Sequence, residues 1–235
     1  MRVDVAFTPA EVRGGTGGRT VVVVDVLRAT STIIHALVSG ARSVLPVAGV
    51  EEAARKAEAL GRDAATLCGE RDTQPIRGFD LGNSPPEFTR ERVGGKTLVM
   101  TTTNGTAALL EATGAARCYV GAMLNVSAVA GRLREEGGDA LLLCAGREGA
   151  FAAEDALCAG RILRLLREAG AGVTGNDAAA AAWRLARTAS AARVLERSAA
   201  GRRLKELGRG EDIAFCARED VYTSVPVFDE LRITL

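Results

Sequence analysis

The chain has 235 residues, 47% of them apolar and 25% charged, enough to bury a substantial core as one large domain or two tightly joined halves. Its 30 Lys and Arg against 29 Asp and Glu leave a formal net charge of +1, which gives no global pull toward nucleic acid or membrane. Aromatics make up 4%, too few for base-stacking platforms, and no apolar run reaches membrane-spanning length. The opening Met1-Arg-Val-Asp-Val-Ala-Phe7 is too short and too polar for a signal peptide, so a cytoplasmic location is expected.

Val3 to Phe7 alternates like an edge strand, and Gly14 to Gly18 lacks the order of a phosphate-binding P-loop and reads as a turn. Val21 to Val24 is a β-branched run that predicts a buried strand over 20–25, followed by a polar turn and a helix over about 30–39. A strand at 43–47, an amphipathic helix at 50–60 and a strand at 64–68 follow. Residues 69–86 form the longest irregular segment and read as an ordered binding loop. The order then recurs: a strand at 97–101, a helix to about 113, strands near 117–121 and 140–144, and helices near 125–135 and up to about 169. Residues 178–200 are strongly helical by propensity. A short helix at 204–208, a turn at 210–213 and terminal strands at 225–228 and 231–235 complete the chain.

A shift of about 76 residues lays Thr97 to Thr106 under Val21 to Thr30, and aligns Cys68 with Cys144 and Arg71 with Arg147. The matches fall at strand ends. They predict an α/β fold, layered α/β/α, within a single domain 1–235. Two similar halves, about 1–90 and 91–170, would be followed by a helical and strand segment over 171–235.

Ligands in α/β sheets bind at the carboxyl ends of strands, where free helix N–H groups and arginines suit anions. The strand ends here collect Asp25, Arg28, Thr30, Ser31, Glu70, Arg71, Thr102, Thr103, Asn104, Gly105, Thr106, Gly146 and Arg147, with Glu154 and Asp155 nearby in sequence. Three arginines suit a substrate with more than one anionic group. Adjacent carboxylates without histidine suit a hard cation such as Mg²⁺, and metal-assisted phosphoryl hydrolysis follows. Asp25, Glu154 and Asp155 are expected to hold the metal or activate water, with Arg28 beside them in the catalytic group. Arg28, Arg71 and Arg147 would grip the anionic groups of a small phosphorylated substrate. Thr30, Ser31, Glu70, Asn83, Ser84, Thr102 to Thr106 and Gly146 would complete its binding.

Known nucleophile signatures fit badly. Leu27 stands where a D-x-D phosphatase would need an acid, and Ala150 and Gln74 stand where a Cys-x5-Arg loop would need arginine. The five cysteines lack a C-x-x-C and read as buried and reduced. The single histidine, His35, reads as a packed helix residue and not a base. A non-catalytic anion or nucleotide sensor is the main alternative, and a hydrolase using Cys144 is a weaker one. The Ala-rich C-terminal helix permits a homodimer.

Together, D-V-L-R-A-T-S-T (25–32), G-E-R (69–71), G-F-D-L-G-N-S-P (78–85), T-T-N-G-T (102–106), C-A-G-R-E-G (144–149) with E-D (154–155), D-I-A-F-C (212–216) and V-P (225–226) resemble the 2-phosphosulfolactate phosphatase family. The resemblance covers nearly the whole chain. It implies a Mg²⁺-dependent phosphatase converting 2-phospho-3-sulfolactate to 3-sulfolactate and phosphate, a step of coenzyme M biosynthesis. That substrate carries phosphate, sulfonate and carboxylate. One departure stands out: Asp72-Thr73-Gln74 follow G-E-R where the family pattern has a small residue and a glycine. It bears on loop geometry and substrate choice, and the alternative to that substrate is another small anionic organic phosphate.

Overall fold

The computed structural model describes residues 1–12 and 14–235. In chain order the elements are β1 (Val3–Ala6), β2 (Thr20–Val24), α1 (Ala29–Val38), β3 (Ser43–Pro46), α2 (Val50–Leu60), β4 (Ala65–Arg71), β5 (Gln74–Pro75), α3 (Arg90–Val93), β6 (Thr97–Thr101), α4 (Gly105–Glu111), β7 (Arg117–Gly121), α5 (Val126–Glu136) and β8 (Ala140–Cys144). Then come α6 (Ala153–Glu168), α7 (Asp177–Thr188), α8 (Ala191–Arg197), α9 (Ala199–Glu206), α10 (Gly210–Cys216), β9 (Val227–Asp229) and β10 (Arg232–Thr234).

Among the described residues the strands form one mixed sheet in the order β1-β8-β2-β7-β9-β10-β3-β6-β4-β5. It holds two parallel blocks, β1-β8-β2-β7 and β3-β6-β4. The C-terminal hairpin joins them, with β9 antiparallel to β7 and β10 antiparallel to β3. Neither block is sequential: β2 lies between β8 and β7, and β6 lies between β3 and β4. The pairing of β4 with β6 sets Cys68 opposite Met100, and that of β8 with β2 sets Cys144 opposite Val24.

Strand alternation divides the core, because successive side chains point to opposite faces. Val22 and Val24 pack with Leu142 and with Leu157 and Ile162 of α6. Val21 and Val23 face the other way, into a cluster with Leu98 and Met100 of the second block, Ile33 and Ile34 of α1, and Leu109 of α4. The two blocks thus share one apolar core, filled by α1 and α4. Val99 faces outward from that core, onto Ala53 and Ala57 of α2. Each fully buried Val or Leu contributes roughly 1.5–3 kcal/mol. No helix among the described residues is long and apolar enough to cross a membrane.

Three sequence expectations are corrected. Residues 69–86 are not irregular throughout: β4 runs on to Arg71 and turns through Asp72 and Thr73 into β5. The stretch 178–200 is not one helix. It breaks at Ser190 and again at Ser198, which ends α8 and caps α9 by accepting the Gly201 N–H. The expected turn at 210–213 is the first turn of α10.

Candidate active site

The carboxyl ends of β2, β4, β6 and β8 meet around one cavity at the junction of the two blocks. Its wall includes Asp25, Arg28, Glu70, Thr103, Glu154 and Asp155. Asn83, Asn104, Gly146 and Arg147 also line it, so ten of the sequence-predicted site residues come together there.

Each segment is tied to its neighbours by a buried carboxylate. Asp155, at the start of α6, accepts the Val26 N–H at 2.8 Å and the Gly146 N–H at 3.1 Å, which clamps the β2–α1 turn to the β8–α6 loop. Glu70, on β4, accepts the Thr103 N–H at 2.7 Å and the Thr73 N–H at 2.8 Å, which clamps the β6–α4 turn to the β4–β5 hairpin. Asn104 accepts the Glu148 N–H at 2.8 Å, joining the second turn to the last loop. Asp25 accepts the Ala29 N–H at the start of α1.

Three of the carboxylates here, Asp25, Glu154 and Asp155, hold their protons more tightly than usual, each chiefly because it is buried. Burial pushes Asp25 up to about 7, with Glu70 and Glu154 adding to it and the Ala29 N–H and Arg28 opposing it. Asp155 is raised well above the ordinary carboxylate range by burial first, then by Asp25 and Glu154. Glu154 is raised by burial, against its own backbone N–H, Ser198 and Arg147. Its Oε2 is buried without a hydrogen-bond partner, as is Asn83 Oδ1. A buried orphan oxygen is costly unless a ligand meets it.

Other predicted site residues hold the site without facing it. Thr30 donates its hydroxyl to the Asp25 carbonyl at 2.8 Å, and its Oγ1 accepts the Asp25 N–H. Thr106 does the same with Thr102, donating to its carbonyl at 2.8 Å and accepting its N–H. Ser31 Oγ donates to Val26 O. Gly105 packs against the Asp25 carboxylate. Arg71 corrects the expectation of a third substrate arginine. Next to Glu70 on a strand, it points to the opposite face, where its fork donates to Glu70 O, Ala48 O and Thr101 Oγ1.

The C-terminal segment, given no role from sequence, closes the cavity. Ala200 and Leu204 of α9 form an apolar wall. Asp212 of α10 is fully buried and accepts from Arg28 Nη1 at 2.7 Å and from Ser84 Oγ. Arg28 Nη2 donates to Thr73 O at 2.9 Å. Leu27, Asp72, Thr73 and Glu148 also line the cavity. Asp212 opens the D-I-A-F-C motif, which is the one signal for it in the sequence.

The alternative nucleophile is removed. All five cysteines are buried and free, and burial raises the Cys144 thiol well above its ordinary value, with Asp155 adding to it. His35 lies on α1 with Nδ1 2.7 Å from the Tyr222 hydroxyl, apart from the cavity lining.

The family model described as 2-phosphosulpholactate phosphatase matches residues 6–230. A protein of Thermotoga maritima, named a probable 2-phosphosulfolactate phosphatase, is 43% identical over 226 residues, 95% of this chain and 94% of that protein. One of Symbiobacterium thermophilum with the same name is 40% identical over 233 residues, 98% of this chain and 99% of that protein. With nearly full-length matches of this kind and a site of crowded carboxylates and arginines at the strand ends, the chain belongs to the 2-phosphosulfolactate phosphatase family.

Proposed function

We propose that the protein is a Mg²⁺-dependent phosphatase that hydrolyses 2-phospho-3-sulfolactate to 3-sulfolactate and phosphate, a coenzyme M-type biosynthetic step. The observation that carries this is the unpartnered, buried Glu154 Oε2 beside Asp25 and Arg147 in one cavity. A pure anion binder gains nothing from such carboxylates.

The residues present fit Mg²⁺ of one kind. Among the described residues no three acidic, His or Cys side chains form a ready-made metal cage. Mg²⁺ does not need one, since it keeps several waters and takes one or two carboxylates plus substrate phosphate oxygens. Asp25 would hold it. Asp155, with both oxygens already accepting backbone N–H groups, would orient the loops. When bound, the cation neutralises the phosphoryl oxygens and so favours attack on phosphorus.

The chain's own groups do the rest. Water adds to phosphorus as the bond to the sulfolactate oxygen breaks. Glu154 Oε2 takes the proton of the water and, once protonated, gives it up to the departing sulfolactate oxygen, so that the carboxylate is restored. Arg147, on the rim of the cavity, meets an anionic group of the substrate. The backbone and side chains of Thr103 and Asn104 fix the floor.

We also infer that residues of about 1–90 and 91–170 are similar halves. Support comes from the matching registers of β4 on β6 and β8 on β2, and from the like closures made by Thr30 and Thr106. The functional reading is tested by phosphate release from a panel of phosphomonoesters with Mg²⁺ and with EDTA. Metal-dependent turnover is expected. Tight binding of the esters with no turnover in either condition would favour the sensor.

A further inference from the structure

Arg28 looks from sequence like a free cation for the substrate. Its side chain is 4% exposed, and its ion pair with Asp212, itself 0% exposed, is fully dry. Asp212 uses both oxygens: Oδ2 accepts from Arg28 Nη1 and Oδ1 from Ser84 Oγ. Arg28 passes the constraint on through Nη2 to Thr73 O. Thr73 N–H donates to Glu70, and Glu70 in turn accepts from Thr103. An unbroken chain of contacts thus runs from α10 through the β2–α1 turn and the β4–β5 hairpin to the β6–α4 turn. It rings the cavity, and Asp212 is its anchor outside the lining.

The turn that Arg28 holds would not hold itself. Asp72 and Thr73 have φ of 52° and 73°, a left-handed conformation that L residues disfavour, β-branched Thr most of all. Two charged contacts, from Arg28 and Glu70, fix Thr73 there. Removing one partner of a buried pair leaves the other charge uncompensated and free to reorient.

We propose that Asp212 is a positioning residue, acting through Arg28 to hold the Asp72–Thr73 turn against the substrate without touching it. The C-terminal segment is thereby part of the active site. This rests on the phosphatase reading for its kinetic test but not for its structural one.

The test compares Asp212→Asn, Arg28→Lys and the double variant with the wild type. The Asn keeps an acceptor for Ser84 and the Lys keeps the charge, but neither keeps the Asp212–Arg28–Thr73 bridge. Each single variant is expected to lower kcat/KM by roughly 10- to 100-fold, as displaced active-site groups do. The double variant is expected to be no worse than the poorer single one, because both break the same chain. Hydrogen exchange gives the readout that does not need turnover: the Thr73 and Thr103 amides lose protection in Asp212→Asn while those of β2 and β6 keep it. If Asp212→Asn lowers Tm but leaves kcat/KM and Thr73 protection unchanged, or if the two variants' losses multiply, the proposal is overturned. If the wild type releases no phosphate, the phosphatase reading fails, and the exchange result alone decides the role of Asp212.

Discussion

Gly105 stands against Asp25 so closely that a Cβ added to it would lie 2.6 Å from Asp25 Oδ2 and 2.5 Å from the Ala29 Cβ. The starts of α1 and α4 meet at this point, one from each parallel block. Asp25 is held in place by a neighbour that has no side chain. Gly105→Ala must therefore push α4 away or tilt the carboxylate. Overpacking of this kind costs about 1–3 kcal/mol. Urea denaturation should register that loss, and phosphate release should fall more than stability does, since the displaced group is Asp25.

Glu154→Gln removes the proton acceptor and keeps the shape. General-base contributions are typically 10²- to 10⁴-fold. The variant should fold, with Tm within a few degrees of the wild type, and lose kcat by at least roughly 100-fold. Activity near the wild-type level would take Glu154 out of the mechanism.

The pH dependence of stability has a defined sign. Asp25 takes its proton at about 7 when folded and near 3.8 when unfolded. Between these values the folded chain binds the extra proton, so this group's contribution falls as pH rises from about 4 to 7 and is fully lost above. The raised Asp155 and Glu154 act in the same direction. In EDTA, the urea midpoint should drop between pH 5 and pH 8. Asp25→Asn should flatten the drop by a few kcal/mol at most, at about 1.4 kcal/mol per pH unit. A midpoint that rises over that interval, or one that Asp25→Asn leaves equally steep, contradicts the assignment.

Thr73 lines the cavity with φ of 73°. Thr73→Gly relieves a left-handed β-branched residue, worth about 1 kcal/mol, which in a chain of this size raises Tm by roughly 2–4 °C. It also removes a side chain from the cavity wall, so the ranking of esters should change while the melting temperature climbs. A lower Tm would mean that Thr73 is not strained.

The five thiols should stay silent. With every cysteine buried, a thiol reagent is expected to label none of them until the chain unfolds, and phosphate release should survive the treatment. Rapid labelling of Cys144 with loss of activity would revive the cysteine mechanism.

The strands were legible because β-branched runs such as Val21 to Val24 stop abruptly at polar residues. The strand ends therefore led to Asp25, Glu70, Asn104, Gly146 and Arg147, and all five line the cavity. Two kinds of error have physical causes. Residue type alone put Arg71 in the site, but the two-residue period of β4 gives the cavity to Glu70 and the back of the strand to Arg71. Residue type likewise offered Thr30 and Thr106 as ligands, although their hydroxyls close the helix starts onto the preceding turns. The role of Asp212 is not legible in the sequence because its partners Arg28 and Ser84 are 184 and 128 residues away in the chain. The breaks at Ser190 and Ser198 were hidden by the surrounding alanines, whose helix propensity is uniform while the caps are local.

The most direct test of the account is phosphate release from 2-phosphosulfolactate beside the same ester lacking its sulfonate, each with Mg²⁺ and with EDTA. The account predicts release that needs Mg²⁺ and a kcat/KM that favours the sulfonated ester. Release that persists in EDTA, or an equal or better rate on the ester without sulfonate, would contradict it.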